Sequence, residues 1–127
     1  MLCSVVMPSM ACTGISLLAK DGSYVQARTI EAAEMALESN YVIIPRGDEI
    51  TSFTPSGRNG LTYKAKYGVV GMSVVKEEFI AEGINEEGLS AGLFFFPRYG
   101  GYEKYEPSQN AKTLGDLQVV AWILSSF

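Results

Sequence analysis

The sequence predicts an α+β chain on three observations. Turn signals at Lys20-Asp21-Gly22-Ser23 and at Asn85-Glu86-Glu87-Gly88 each divide two strand-like stretches, which reads as two hairpins. Tyr41-Val42-Ile43-Ile44 is a short apolar run stopped by Pro45. The last stretch, Thr113 to Phe127, keeps a helical period. With 127 residues the chain fits one small domain or part of a larger one. A domain of that size buries roughly two thirds of its chain surface, enough for one core.

The elements follow in order. Cys12 to Ala19 is a strand carrying Ile15, Leu17 and Leu18, and the Asp-Gly turn supplies the positive φ that a tight hairpin needs. Tyr24 to Ile30 returns with Tyr24, Gln26 and Arg28 on one face and Val25, Ala27 and Thr29 on the other. The hairpin therefore carries Arg28 back towards Cys12. Glu31 to Ser39 has good helix formers and reads either as a turn or two of helix or as a loop over a site. Tyr41 to Ile44 is expected as a buried strand.

Gly47 to Thr62 is polar and reads as a long surface loop, and Tyr63 to Val75 as a strand with Gly68 and Gly71 at bulges or close backbone approaches. Phe79 to Asn85 and Leu89 to Phe96 form the second hairpin, followed by a Gly/Tyr-rich loop from Pro97 to Lys112. The helix is expected to start at Thr113, with Thr113 and Asp116 as a capping box. Leu117, Val120, Ala121 and Leu124 then fall at i, i+3, i+4 and i+7 as its buried face. An apolar helix at the end of the chain, and sheet edges left open, read as the mark of a fragment.

Composition removes whole classes of chemistry. The chain has no histidine, so a Ser-His-Asp triad, a Cys-His dyad and a His-metal cluster are excluded. Two cysteines, Cys3 and Cys12, make no disulfide framework and offer no CxxC spacing for metal or redox work, and no cofactor or metal is expected. A net charge of −4 without a basic cluster argues against nucleic acid as a partner. No segment reaches the roughly 20 apolar residues that span a bilayer, so no stable membrane insertion is expected.

Residues 1–11, MLCSVVMPSMA, are uncharged and apolar, and they end in Ser9-Met10-Ala11, with small side chains where a signal peptidase reads them. They are read as the tail of a signal peptide, removed to leave Cys12 as the N-terminus of a periplasmic or secreted protein. A short N-terminal strand is the bland alternative. A further one is lipid attachment at Cys12, for which Ser-Met-Ala-Cys is a poor lipobox. That modification takes up the sulfur and often the amine, and so excludes chemistry at both.

An N-terminal cysteine answers the missing imidazole. Its thiolate is a nucleophile, and its own α-amino group, with an unperturbed pKa of ~7.7–8.0, serves as base near working pH. A cation beside the thiol lowers its pKa, and Arg28 on the paired strand is the candidate. Glu31 is placed to hold the ammonium or the leaving amine.

These residues sit in a series of short motifs. Cys12-Thr13-Gly14, Ala27-Arg28-Thr29-Ile30-Glu31, Ile44-Pro45-Arg46 and Tyr67-Gly68-Val69-Val70-Gly71-Met72 follow in order. Asn85-Glu86-Glu87-Gly88-Leu89, Ala91-Gly92-Leu93 and Trp122-Ile123-Leu124-Ser125-Ser126-Phe127 complete it. From Cys12 to Phe127 the chain resembles the choloylglycine hydrolase family, the conjugated bile acid hydrolases and penicillin V acylases of the N-terminal nucleophile superfamily.

The resemblance implies an αββα sandwich, incomplete in this chain, with residues 12–127 as the N-terminal part of the domain. It implies hydrolysis of a linear amide, foremost glycine- or taurine-conjugated bile salts, with penicillin V or N-acyl-homoserine lactone acylase activity as the nearest alternative. A truncated inactive or lipid-anchored chain is the non-enzymatic one. The partner implied is a small-molecule amide, and the complete protein is expected to be a homo-oligomer. By position, Cys12 matches the nucleophile, Arg28 the arginine beside it, and Glu31 stands where the family usually has aspartate.

Phe94 stands where the family has Asn or Tyr, at a position whose backbone N–H belongs to the oxyanion hole. Phe95 and Met35 join it as pocket candidates. The asparagine and the further arginine that complete the family's site are expected beyond Phe127, so this chain alone is expected to be weakly active or inactive.

Overall fold

The computed structural model describes residues 12–31, 37–94 and 99–127. The leader 1–11, Met35 and Phe95 lie outside them. Strand and helix both occur, as expected of an α+β chain, and the chain divides into two compact units: residues 1–36 with 94–100, and residues 37–93 with 101–127.

The first unit is built on a hairpin, β1 (Gly14–Leu18) and β2 (Tyr24–Arg28), antiparallel with Gly14 opposite Arg28 and Leu18 opposite Tyr24. Its turn is made as the Asp-Gly signal predicts. Gly22 takes φ 87°, Ala19 N–H donates to the Ser23 carbonyl at 2.8 Å, and Asp21 Oδ1 accepts from both the Ser23 amide and hydroxyl. Those two bonds, the hydroxyl's first, hold the Asp21 carboxyl below its usual range. Every residue of β1 is exposed, Leu17 and Leu18 included.

The second unit carries the core. Its four-stranded antiparallel sheet runs in the order β3 (Tyr41–Ile44), β6 (Val69–Val74), β7 (Lys76–Asn85) and β8 (Ser90–Gly92). Helix α1 (Val119–Ser126) packs on one face, where Val120, Ala121 and Leu124 close over Val69 and Ile80. The helical period therefore identifies Val120, Ala121 and Leu124 of this face, while Leu117 is half-buried in the 3-10 turn before the helix. Val42, Ile44, Ala91 and Leu93 pack around it.

Alternation sends the other residues to the opposite face, where Tyr41, Ile43, Val70, Met72 and Ile84 are exposed. Tyr41–Ile44 is thus not a buried strand but an edge strand half-buried on one side, since a short apolar run looks alike in either setting. Register lines up Ile43, Val70 and Ile84 directly across three strands as an apolar stripe.

Several boundaries differ from expectation. The 47–62 segment is not wholly loop: β4 (Glu49–Thr51) pairs with β5 (Thr62–Lys64), and the buried Ser52 follows it. Tyr63–Val75 is not one strand, because β5 and β6 belong to different sheets and Ala65–Gly68 separates them. Gly71 is a close approach, where a Cβ would come within 2.6 Å of Ile80 Cγ2. Gly68 is not at a bulge; the register breaks on either side of Ser73 instead. The second hairpin starts earlier, at Lys76, and β8 ends at Gly92.

The helix starts at Val119, not at Thr113, and the capping box is not formed. Thr113 donates to the Gln109 carbonyl, while Gly115 precedes a single 3-10 turn over Asp116–Gln118. Tertiary bonds set this start: the buried Gln118 Oε1 accepts from Ser52 Oγ at 2.9 Å and from Phe53 N–H at 2.6 Å. Within 31–39, residues 32–36 lie outside the described residues, and 37–39 take no regular structure.

Candidate active site

The hairpin brings the candidate residues together at its open end. Pairing runs on past β1 and β2, because Thr29 N–H donates to the Thr13 carbonyl at 2.9 Å. Residues opposite one another in an antiparallel pair project to the same face, so Gly14 and Arg28 share one. One further step of alternation puts Cys12 on that face, diagonal to Arg28 at a typical spacing of about 7–8 Å. Cys12 and Arg28 are half-buried, in contrast to the exposed strand residues around them.

The opposite face carries a second set. Thr29 Oγ1 accepts the Thr13 N–H at 3.2 Å and donates to Glu31 Oε1 at 2.8 Å. This chain ties the Glu31 carboxylate to the backbone next to Cys12. Thr29 had no assigned role in the sequence reading. Its signal lay in the alternation that puts Thr29 two residues before Glu31, on the same side.

Phe94 also belongs to this unit. The Arg28 guanidinium lies over its ring, 4.5 Å from the centroid, and Arg28 Nε is 3.4 Å from the Thr29 carbonyl. The structure therefore brings Arg28 and Phe94 into contact and places Glu31 beside the segment that holds Cys12. The pocket candidates Met35 and Phe95 lie outside the described residues. Among the described residues, no group of three or more His, Cys, Asp or Glu is placed to hold a metal ion, and no helix is long and apolar enough to cross a membrane.

A half-buried thiol at the start of the hairpin, a guanidinium on the paired strand and a tethered carboxylate are thus gathered in one unit. Comparison with known proteins gives the chain's family. The family described as linear amide C–N hydrolases, choloylglycine hydrolase family, matches residues 12–127. The chain belongs to the choloylglycine hydrolase family. It is 30% identical over 118 residues to the bile salt hydrolase/transferase of Clostridium perfringens (strain 13 / Type A), covering 91% of this chain and 34% of that protein. The chain thus spans about a third of the length of this curated relative. No solved structure matches it at a significant level.

Proposed function

We propose that this chain is the nucleophile-bearing part of an amide hydrolase that cleaves a linear C–N bond, with glycine- or taurine-conjugated bile salts as the substrates. One observation carries the reading: pairing of β1 with β2 delivers Arg28, Thr29 and Glu31 to the segment that begins at Cys12. The family match supports it by starting at residue 12. Removal of residues 1–11 during export to the periplasm or beyond exposes the α-amine. The apolar stripe of Ile43, Val70 and Ile84 suits a second sheet, as an αββα sandwich requires.

This chain's own groups supply the nucleophile, the base and one oxyanion donor. The Cys12 α-amine takes the thiol proton, directly or through one water, and the thiolate attacks the amide carbonyl carbon. The Phe94 N–H stabilises the oxyanion as a backbone donor, which a phenylalanine supplies as well as an asparagine. As the C–N bond breaks, the ammonium returns its proton to the leaving amine. Water, deprotonated by the same amine, cleaves the thioester and releases the acid. Arg28 favours the thiolate electrostatically, and Glu31 favours the ammonium.

An aromatic residue at position 94 also favours a second substrate, penicillin V, because penicillin acylases carry Tyr there. The test has two parts. Intact mass of the mature N-terminus should show an unmodified Cys12; a diacylglyceryl adduct or retained residues 1–11 would end the proposal. The complete gene product should release glycine or taurine from conjugated bile salts faster than phenoxyacetate from penicillin V. The reverse order moves the substrate, and no release of either removes the activity.

A further inference from the structure

Of the four asparagines in the chain, Asn59 alone is followed by glycine. A glycine nitrogen carries no side chain beside it to hinder its approach to the preceding side-chain carbonyl. In an open chain an Asn-Gly pair therefore closes to a succinimide more readily than other asparagine pairs.

The fold holds both partners of that ring closure. The Gly60 N–H donates to the Ser52 carbonyl at 2.8 Å, at a buried position where a Cβ would come within 2.6 Å of the Thr113 carbonyl oxygen. Asn59 Oδ1 accepts from the hydroxyl of the buried Thr54 at 2.5 Å, and Asn59 Nδ2 donates to Ser56 Oγ at 3.0 Å. The bonds continue into a distant segment. The Tyr105 hydroxyl donates to Asn110 Oδ1 at 2.9 Å, so Ser56 is the donor in its 2.7 Å contact with the Tyr105 oxygen.

Each hydroxyl thus gives its one proton in the same direction, and that direction fixes which side of the Asn59 amide is oxygen. An amide, which accepts at Oδ1 and donates from Nδ2, completes the chain of bonds. A carboxylate does not. An aspartate at position 59 has no proton for Ser56, and it draws the single Ser56 proton away from Tyr105. The chemical state of residue 59 therefore bears on how Tyr105 and the 3-10 turn Pro107–Lys112 are held against residues 54–59.

We infer that Asn59-Gly60 is a spontaneous deamidation site, that the bonds through Ser56, Tyr105 and Asn110 keep it closed, and that its conversion loosens the 105–112 segment. In the step itself the Gly60 nitrogen loses its proton to solvent and bonds to Asn59 Cγ. The Cγ–Nδ2 bond breaks and ammonia leaves. Water then opens the imide at either carbonyl, giving aspartate or isoaspartate, so the net change is hydrolysis of one side-chain amide. Because the Gly60 N–H must first release Ser52, the rate follows the fraction of molecules in which this turn is open.

The test is incubation of the full chain at mildly alkaline pH, in buffer and in urea. The amide-to-acid mass change and the isoaspartate content are read on the peptide that carries residue 59. In urea Asn59 should convert fastest of the four asparagines, and in buffer it should convert at least about tenfold more slowly than in urea. Tyr105→Phe keeps the ring and removes the hydroxyl. It should raise the rate in buffer about fivefold, the effect of one net hydrogen bond, and leave the rate in urea unchanged. Asn110→Ala should do the same. Asn59→Asp, which makes one of the products directly, should speed trypsin cleavage after Lys104 and Lys112 about threefold to fivefold, while cleavage after Lys64 in β5 stays at its wild-type rate.

Equal rates in buffer and in urea overturn the inference, because the turn then protects nothing. An Asn59 that stays unconverted in urea removes the site itself. A buffer rate unmoved by both Tyr105→Phe and Asn110→Ala overturns the part played by the chain of bonds, and unaltered cleavage in Asn59→Asp overturns the loosening. Circular dichroism checks that each variant is folded, and Ser56→Ala takes the place of one that is not.

Discussion

The two units put opposite demands on the same chain. The first is a hairpin whose strand β1 is exposed along its whole length, and it holds Cys12, Arg28, Glu31 and Phe94. The second holds a core of Val69, Ile80, Val120, Ala121 and Leu124 between a sheet and a helix, and it holds none of those four residues. The proposed chemistry and the stability of the core should therefore separate by mutation. An exposed hairpin contributes few buried contacts, so its residues are set by local pairing and polar bonds. The sheet is set by apolar area.

The largest expected effect tests the chemical side. In the complete gene product, Cys12→Ala should lower amide hydrolysis by at least about 10³-fold, because it removes the proposed attacking thiolate. The urea midpoint should stay at its wild-type value. Residual hydrolysis within tenfold of wild type would move the nucleophile elsewhere. A shifted midpoint would mean that the hairpin shares the core's cooperative unit.

Leu124→Ala is the mirror experiment. Leu124 is fully buried against the sheet, and its truncation leaves a cavity where the helix crosses β7. The expected loss is about 3 kcal/mol, read from urea unfolding. Under native conditions the Cys12 alkylation profile should not change. A loss below about 1 kcal/mol would show that the helix is weakly docked.

How much of this was legible depended on whether the signal was local. The first hairpin could be read because Asp21-Gly22 fixes the turn and the turn fixes the register, which in turn places Arg28 against residues 12–14. Helix face residues could be read because 3.6-residue spacing does not depend on partners. The helix start could not, since Ser52 and Phe53 anchor Gln118 across 66 and 65 positions of sequence. Strand β4 was hidden because a three-residue strand inside a polar stretch has no period to detect.

At the candidate site, Cys12, Arg28 and Glu31 were readable from motif and hairpin geometry. The ring of Phe94 over Arg28 was not, because no local pattern links residues so far apart. Thr29 lay in plain view but was passed over, since its part is a relay of hydrogen bonds that only the register reveals.

A smaller effect tests how local the first unit is. Thr29→Val keeps the β-branched shape and removes the hydroxyl that links Thr13 N–H to Glu31. Both groups are exposed, so water replaces the lost partner and the cost should be about 1 kcal/mol or less. Hydrogen exchange at the Thr13 amide should rise up to about fivefold, while amides of β6 and β7 keep their protection. If protection in β6 falls as well, the two units are coupled and the division above does not hold.

The smallest effect belongs to the second unit's surface and sharpens the comparison from the other side. Glu86 Oε1 accepts the Gly68 N–H at 2.6 Å and meets Arg46 Nε at 3.0 Å and Nη2 at 2.9 Å. The Gly68 bond foremost holds the Glu86 carboxyl below its usual range; burial opposes it, and the bond and charge of Arg46 add to the lowering. A carboxyl depressed in the folded state adds stability above its unfolded value, and that stability is lost as pH falls through the folded value. Acidification should therefore shift the Gly68 amide resonance as Glu86 takes a proton, at a pH below that of an ordinary glutamate. Glu86→Gln should abolish this shift, because its side chain does not titrate. Since the group is exposed and screened, the urea midpoint of Glu86→Gln should lie close to wild type and move little with salt. A loss comparable to that of Leu124→Ala would put the stability of this unit in its surface turns and not in the apolar contact between sheet and helix.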